Sequence, residues 1–211
     1  MLVARQMTKR VITIKPNESL KRARELLVKK KIRQLPVVLQ GKLIGIVTDR
    51  DIRHAYPSSI AGHDPDAVQK FAEKMEVASA MSVNVVTVAP HNTVDEAAKI
   101  MRDKRIGSVP VVQGDKLIGI ITKTDILDAF IELAGLDAPG YRIDLVCEDK
   151  PGVRSKVRKT VERHGGEVKW ISPELDSKNG KSCLLIRVTA PAIVPIEKAL
   201  RKIGFDVRTE L

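Results

Sequence analysis

An internal duplication is the feature of this chain that most constrains its fold. Residues Met7 to Ile52 align without a gap with Met81 to Ile126, and eighteen of the 46 paired positions are identical. The identical positions include the pairs Pro16/Pro90, Pro36/Pro110, Gly45/Gly119, Thr48/Thr122 and Asp51/Asp125. A repeat of this kind is one supersecondary unit that buries its apolar face by stacking on its neighbour. The two copies are therefore expected to pair into one module.

Each copy predicts the element order βαββα. The β-branched runs Val11–Ile14 and Val85–Val88 are followed by prolines and predict short strands. Ser19 and Thr93 then predict N-caps of amphipathic helices. Two further strands joined by a tight turn follow in each copy, at residues 35–38 and 43–47 and at residues 109–112 and 117–121. A second helix is predicted after the threonine that ends the last strand.

The most similar stretches of the two copies are PVVLQGKLIGIVTDRD at 36–51 and PVVQGDKLIGIITKTD at 110–125. With the methionine, β-branched run and proline that precede each of them, they resemble a pair of CBS domains (the cystathionine β-synthase type). The resemblance implies that both repeats fold together into one disc-shaped module. It also implies that an adenosine-containing ligand such as AMP, ATP or S-adenosylmethionine binds in clefts between the repeats.

The pairs Thr48/Asp51 and Thr122/Asp125 are the candidate ribose and phosphate contacts. In each pair an apolar strand ends at a hydroxyl residue, and a carboxylate follows in the first turn of a helix. Free N–H groups at a helix start suit a phosphate, and the threonine hydroxyl can add a donor. The carboxylate can accept from ribose hydroxyls, as in dinucleotide folds. The same pattern is typical of a helix N-cap without any ligand. Its presence in both copies, together with the resemblance, favours ligand contact.

Basic and polar residues near these pairs differ between the copies. In the family that the repeats resemble, polar side chains just before the proline-containing strand reach ligand phosphates. Arg33 is therefore the phosphate candidate of the first copy, whereas Gly107 and Ser108 leave room for a ligand to approach the backbone. Further candidates near the threonines are Arg50, Arg53, Lys123 and Thr124. The two clefts are expected to be unequal, and one of them can be empty.

The adenine ring would lie against apolar strand residues and backbone groups. The candidates for this pocket are Ile12, Thr13, Val86 and Thr87. Packing in the core of the module explains the same residues equally well, so both interpretations stay open. The histidines in and beside the segment between the repeats, His54 and His63, have no convincing metal partners, and no metal site is predicted.

The C-terminal part predicts a second domain with the order βαββαβ, which is ferredoxin-like. A linker with Pro139 and Gly140 leads into strands and helices that alternate up to a hairpin tip with Asn179-Gly180 and continue to the C-terminus. The D-x-P-G-V sequence at Asp149 to Val153 resembles the signature loop of ACT domains. That resemblance implies an amino-acid site at Asp149, Gly152 and Val153; a helix cap in a dimerisation domain is the alternative.

The predicted fold class is α+β, with tandem βαββα CBS repeats as one module and a C-terminal ferredoxin-like (ACT-like) domain. The predicted boundaries are 1–60 for the first repeat, 61–76 for the inter-repeat helix and linker, 77–135 for the second repeat, 136–140 for a linker and 141–211 for the ACT-like domain.

Composition limits the classes of function. The chain has 37 Lys and Arg against 26 Asp and Glu, a net charge of +11, which favours anionic partners. Aromatic residues are only 3%, and no helix-turn-helix, zinc-finger or RNP-like motif occurs, so nucleic acid is not expected. No catalytic motif is found, which predicts a protein that is not an enzyme. The two cysteines are far apart, and no apolar stretch is long enough for a membrane span, so a cytoplasmic protein is expected.

The order of a CBS pair and an ACT-like domain resembles bacterial regulatory proteins of the acetoin-utilisation type. We therefore expect a non-catalytic, homodimeric regulatory protein that senses an adenine nucleotide, needs no obligatory cofactor and acts on an unknown protein partner. Two alternatives remain. The chain is a ligand-free scaffold or dimerisation protein, or it senses an amino acid through the ACT-like domain.

Overall fold

The computed structural model describes residues 1–55, 65–137, 139–147, 150–175 and 182–210. The chain divides into two compact units, Met1–Ile126 and Leu127–Leu211. Each unit has its own four-stranded antiparallel sheet.

The first unit contains two helix–strand–strand–helix repeats. Its elements are α1 (Val3–Gln6), α2 (Leu20–Lys30), β1 (Gln34–Leu39), β2 (Lys42–Thr48), α3 (Asp49–Ala55), α4 (Pro65–Lys74), α5 (Val94–Asp103), β3 (Ser108–Gln113) and β4 (Lys116–Thr122). A single 3₁₀ turn, Val77–Ser79, lies between α4 and α5. The last helix of the second repeat, α6 (Lys123–Ala134), begins in this unit and continues into the other.

The strand hairpins of the two repeats have the same register. In the first, Gln34 is opposite Thr48, and in the second, Ser108 is opposite Thr122. Both hairpins also carry an irregularity at the equivalent place, after Val37 and Val111. The hairpins join through their tips into one sheet of order β1-β2-β4-β3. The equivalence of the registers shows that the sequence duplication is a structural duplication.

The predicted N-caps of α2 and α5 are confirmed. The Ser19 side chain accepts a hydrogen bond from the backbone N–H of Arg22. Thr93 accepts from the N–H of Glu96, whose carboxylate in turn accepts from the N–H of Thr93, so that α5 begins with a reciprocal capping box. These contacts are local, which is why the sequence pattern predicts them.

The predicted strands at 11–14 and 85–88 are reduced to single bridges. Ile14 pairs in parallel with Val37, and Val88 pairs in parallel with Val111. Two residues further on, Pro16 and Pro90 have no backbone N–H to donate, so the ladder cannot continue. The described structure therefore has two full strands in each repeat where three were predicted.

The duplication begins earlier than the alignment at Met7 indicates. Val3 and Val77 are both fully buried, and the preceding residues make equivalent bridges, Leu2 with Thr93 and Glu76 with Ser19. The sequence carries the signal for this, because MLVARQM at 1–7 and MEVASAM at 75–81 share four of seven residues. The N-terminal segment is thus a part of the first repeat and not a tail.

The start of each repeat pairs with a strand of the other repeat. Thr8 exchanges two backbone hydrogen bonds with Ile120 on β4, at 2.9 and 3.0 Å. Ser82 exchanges the equivalent two with Ile46 on β2, at 2.9 and 3.0 Å. Val77 from the second copy also belongs to the buried core of the first. This interleaving confirms the prediction that the two copies pair into one module.

The second unit has the order βαββαβ after the end of α6. Its elements are β5 (Tyr141–Val146), α7 (Val153–Arg163), β6 (Glu167–Leu175), β7 (Ser182–Thr189), α8 (Val194–Lys202) and β8 (Asp206–Glu210). The sheet order is β6-β7-β5-β8, so β5 and β8, the first and last strands of this unit, are neighbours. Both helices pack on the sheet through buried residues such as Val157, Val161, Ile196 and Leu200. This element order is the predicted ferredoxin-like one.

Some predicted features of the C-terminal part lie outside the described residues. These are the hairpin tip at 177–180 and Asp149 of the D-x-P-G-V sequence. In the part of the chain that the structure describes, no helix is long and apolar enough to cross a membrane.

Candidate functional site

Thr48 and Asp51 form a compact unit where β2 ends and α3 begins. The Oδ2 atom of Asp51 accepts from the backbone N–H of Thr48 at 2.8 Å and from its hydroxyl at 2.7 Å. The Oγ1 atom of Thr48 accepts in return from the N–H of Asp51 at 3.2 Å. Since a hydroxyl has one proton, this arrangement commits the Thr48 donor to the carboxylate. Both side chains are half-buried.

Thr122 and Asp125 repeat this geometry where β4 ends and α6 begins. The three corresponding distances are 2.7, 2.8 and 3.3 Å. In both pairs only Oδ2 of the aspartate is used. The Oδ1 atoms of Asp51 and Asp125 accept no hydrogen bond from any residue that the structure describes. Each junction therefore presents a carboxylate oxygen that is fixed in position and available to an external donor.

The residue before each proline-containing strand lies beside the same junction. The carbonyl of Arg33 accepts from the N–H of Asp49 at 3.1 Å, and the carbonyl of Gly107 accepts from the N–H of Lys123 at 3.0 Å. These bonds bring Arg33 next to Thr48 and Asp51, although 15 positions separate Arg33 from Thr48 in sequence. The first junction has a guanidinium side chain at this place, and the second has none.

The other predicted phosphate contacts are exposed. Arg50, Lys123 and Thr124 lie within two positions of the threonines, in the first turns of α3 and α6. Their side chains make no hydrogen bond or ion pair with other residues in the described ranges. The fourth predicted residue, Arg53, differs, because it forms an ion pair of 2.7 Å with Asp49. Only Arg50, Lys123 and Thr124 are therefore free to turn toward a ligand.

The predicted adenine residues lie toward the same ends of the hairpins. The bridge of Ile14 to Val37 is parallel, so Ile12 and Thr13 lie on the side of this bridge where β1 begins and Thr48 is opposite. Val86 and Thr87 have the equivalent place in the second repeat. Ile12 also packs against the core of the first repeat, while Thr13 is exposed. Whether these residues line a ligand pocket remains a prediction.

The two junctions differ most in the residue that pairs with the threonine. Gln34, opposite Thr48, is half-buried, whereas Ser108, opposite Thr122, is only 5% exposed. Gly107 has no heavy atom within 4 Å of the position of an added Cβ, so space is open beside it. Before its strand the first junction thus has the charged side chain of Arg33, whereas the second has Gly107 and open space at the equivalent position.

The D-x-P-G-V loop is described only in part. Gly152 is the N-cap of α7 with a left-handed backbone, φ 90°, a conformation that favours glycine. Val153 packs against the core of the second unit, and its N–H donates to the carbonyl of Lys150 at 3.1 Å. Gly152 and Val153 thus have clear structural roles, and their predicted role in amino-acid binding remains a prediction.

Over the described ranges of the chain, no group of three His, Cys, Asp or Glu side chains is placed to hold a metal ion. His54 is exposed at the end of α3, and His63 lies outside the described residues.

Comparison with known proteins places the duplicated part in one family. The model of the CBS domain matches residues 3–58 and 76–132 of this chain. The two matched segments start at Val3 and Glu76, close to where the structure begins each repeat. The match ends at residue 132 and does not include β5 to β8, so the ACT-like character of residues 141–211 remains a prediction.

Three solved structures are similar to this chain. A candidate acetoin utilization protein from Vibrio cholerae is 31% identical, with a TM-score of 0.55 over 65% of this chain and 95% of that one. The CBS domain pair of the protein MJ0100, in complex with 5′-methylthioadenosine and S-adenosyl-L-methionine, is 33% identical, with a TM-score of 0.51 over 62% and 95%. The protein CBSX2 in complex with AMP is 28% identical, with a TM-score of 0.51 over 62% and 96%.

The interleaved repeats, the matched Thr–Asp junctions and the family match over both copies lead to the same conclusion. The chain belongs to the CBS domain family.

Proposed function

We propose that this chain is a non-catalytic regulatory protein that binds an adenosine-containing ligand at its two Thr–Asp junctions. The observation that carries the proposal is the hydrogen bonding of Asp51 and Asp125. Each aspartate is held by its threonine through Oδ2 and keeps Oδ1 without a partner among the described residues. A pre-positioned carboxylate oxygen is what the vicinal hydroxyls of a ribose need as an acceptor.

In this proposal the threonines have a positioning role. Their hydroxyl protons are already donated to the aspartates, at 2.7 and 2.8 Å, so they orient the carboxylates and do not donate to the ligand. The helix-capping interpretation of the pair is thus compatible with ligand binding. One carboxylate oxygen accepts the hydrogen bonds from the threonine, and the other would accept those from the ribose hydroxyls.

The two sites would differ in their phosphate contacts. Arg33 adjoins the first junction and is the proposed partner of a ligand phosphate, with Arg50 next to it. The second junction has Lys123 and Thr124 but only Gly107 in place of the arginine. We therefore assign a phosphorylated nucleoside such as AMP to the first junction. A ligand without phosphate fits the second, where Gly107 leaves room.

The comparisons support the class of ligand. Similar structures bind 5′-methylthioadenosine, S-adenosyl-L-methionine and AMP, all of which contain adenosine. Ile12, Thr13, Val86 and Thr87 are the proposed adenine contacts, since they lie toward the junction ends of the hairpins. Binding would favour one arrangement of the paired repeats and shift its population, which is how a non-catalytic module transmits a signal.

The remaining parts of the proposal rest mainly on the expectations from the sequence analysis. We propose a cytoplasmic homodimer without an obligatory cofactor, with the repeat boundaries at 1–60 and 77–135 and the linker at 136–140. Residues 141–211 would be an ACT-like domain, supported by the βαββαβ order and by the left-handed Gly152 at the start of α7. An amino acid is the candidate ligand of this domain.

The test is calorimetric titration of the full chain with AMP, ATP, S-adenosylmethionine and 5′-methylthioadenosine. The variants are Asp51→Asn and Asp125→Asn, which keep an oxygen for the helix cap but remove the charge. Asp115→Asn is the matched control, because this exposed carboxylate lies at a hairpin tip and pairs with Lys42 at 3.2 Å.

We expect binding that is weakened in one or both junction variants and is unchanged in the control. Saturable binding that all three variants leave unchanged would contradict the assignment of the site. No binding of any of the four ligands would contradict the sensor function and favour the ligand-free scaffold.

A further inference from the structure

The outer face of the second unit carries a concentration of positive charge that nucleotide binding does not explain. Helices α7 and α8 lie side by side, and an open groove of about 480 Å³ runs between them. The residues that line it are Thr160, Arg163, His164, Pro195, Lys198, Ala199, Lys202 and Ile203. None of them belongs to the Thr–Asp junctions.

The cations of this groove lack internal partners. Arg163, Lys198 and Lys202 are exposed, as is Lys159, one turn before Arg163 on α7 and outside the lining, and none of the four forms an ion pair with a carboxylate in the described parts of the chain. Lys159 and Arg163, like Lys198 and Lys202, are four positions apart and lie on one face of their helix. Like charges so arranged repel one another, and a bound anion relieves that repulsion.

The floor of the groove is apolar. Pro195, Ala199 and Ile203 follow one another at a spacing of four along α8, and the ring of His164 is fixed at one side by its Nδ1 atom, 2.9 Å from the carbonyl of Thr160. The eight steps from Pro195 to Ile203 span about 12 Å, or two turns of a helix. Such a groove has the length of a short peptide segment, with an apolar strip between two rows of cations.

We propose that this groove, between α7 and α8, docks an acidic segment of a partner protein. An aliphatic side chain of that segment would lie on the strip of Pro195, Ala199 and Ile203. Its carboxylates would pair with Arg163, Lys198 and Lys202. The inference is independent of the proposed nucleotide binding, because it uses no residue of the first unit.

Other anions fit the groove less well. A nucleic-acid backbone offers no aliphatic side chain for the apolar strip, and the lining has no Phe, Tyr or Trp on which a base could stack. A membrane surface needs large apolar side chains that protrude, whereas Ala199 and Ile203 are only half-exposed and line a groove. The combination of cationic rims and an apolar floor therefore favours an acidic, partly apolar polypeptide.

The experiment uses the full chain and fluorescent probes of defined chemistry. One probe is a peptide of repeating Glu-Glu-Leu units, and a second has the same number of glutamates without leucine. A short DNA duplex and vesicles containing phosphatidylserine are the competing anions. Binding is measured by fluorescence anisotropy for the peptides and the DNA and by co-sedimentation for the vesicles, all at low ionic strength, where charge–charge interactions are least screened.

We expect the leucine-containing peptide to bind about tenfold more tightly than the leucine-free one, a difference of about 1.4 kcal/mol. The double variant Lys198→Glu/Lys202→Glu should lose this binding. The matched control is Lys29→Glu/Lys30→Glu, which reverses two exposed lysines at the end of α2 and should keep it. Ala199→Leu fills the groove without changing its charge and should abolish the preference for the leucine-containing peptide, while Ala199→Ser should keep it.

Three outcomes would overturn the proposal: equal loss in both charge-reversal variants, equal or tighter binding of the DNA or the vesicles, or no binding of the leucine-containing peptide. Thermal unfolding of each variant shows whether it is folded. Titration with AMP separates the two proposals, because charge reversal at Lys198 and Lys202 should leave nucleotide binding as it is in the unaltered chain.

Discussion

Met81 lies so close to Gly45 that a Cβ atom added to the glycine would come within 2.6 Å of the methionine Sδ atom. Met7 lies over Gly119 in the same way. Each methionine lies near the start of one repeat, and each glycine belongs to a strand of the other. The identical Gly45/Gly119 pair of the duplication is thus explained by the crossing of the chain segments, because only glycine leaves room for the methionine.

Alanine at either glycine should destabilise the first unit by about 1 to 3 kcal/mol through overpacking. Gly45→Ala should cost more than Gly119→Ala. The added methyl group at Gly45 also meets the backbone oxygen of Ser82 at 3.2 Å, whereas the close neighbours of Gly119 are all side-chain atoms of Met7. Thermal and denaturant unfolding measure both effects.

Gly107→Ala is the control for these variants, since no heavy atom lies within 4 Å of its added Cβ and its φ is not positive. It should leave stability nearly unchanged. The double variant Met7→Ala/Gly119→Ala should show a favourable coupling, because the alanine at 119 then fills the space that the methionine leaves. Strictly additive effects would contradict the packing argument.

Glycine at the ends of two equivalent helices should stabilise the chain. Lys31 and Arg105 have left-handed backbones, with φ of 53° and 54°, which cost a residue with a Cβ about 1 kcal/mol. Lys31→Gly and Arg105→Gly should each raise the free energy of unfolding by up to about 1 kcal/mol. Lys30→Gly, one position earlier and inside α2, should lower it by a similar amount. If Lys30→Gly and Lys31→Gly changed the free energy of unfolding in the same direction, this would contradict the explanation.

The capping box of α5 should make stability depend on pH. The pKa of Glu96 lies below its ordinary value of 4.5, mainly because its carboxylate accepts a hydrogen bond from the backbone N–H of Thr93. A lowered pKa in the folded state adds stability above the unfolded-state pKa, and this stability is lost as the pH falls through the folded-state value. Glu96→Gln keeps the hydrogen-bonding geometry but removes the charge.

We therefore expect Glu96→Gln to unfold at a lower temperature than the unaltered chain at pH 7. The difference should shrink as the pH falls below 4.5. Thr93→Ser retains the capping hydroxyl and should keep the pH dependence of the unaltered chain. A difference that stays constant from pH 7 into the acidic range would argue against the charged capping box.

Arg33 should distinguish ligands by their phosphate. If it contacts the phosphate of AMP, Arg33→Ala removes a charge-assisted hydrogen bond and weakens AMP binding roughly 10- to 100-fold. Binding of 5′-methylthioadenosine, which has no phosphate, should not change. Calorimetry with both ligands gives the comparison, and Arg102→Ala, at an exposed arginine near the end of α5, is the control. An equal loss for both ligands would assign Arg33 to the structure of the junction instead.

The local elements follow from short sequence patterns. Ser19 and Thr93 cap their helices as predicted, and Thr48 meets Asp51 because three positions separate them where a strand passes into a helix. Contacts of this kind are determined by chain geometry within one turn. The predicted strands at 11–14 and 85–88 were only partly right, since their extent depends on a partner strand that lies elsewhere in the chain.

The sequence by itself determined that the chain is duplicated, where two helices of each repeat begin, and which carboxylates follow a hydroxyl residue by three positions. Only the tertiary structure decided that the start of each repeat crosses to the other, that Met81 covers Gly45, and that Arg33 adjoins Thr48. Hydrophobic periodicity reports the face that an element buries but not the segment that covers it. The covering segment is determined by contacts between parts of the chain that are distant in sequence, and these contacts form only when the two copies pack together.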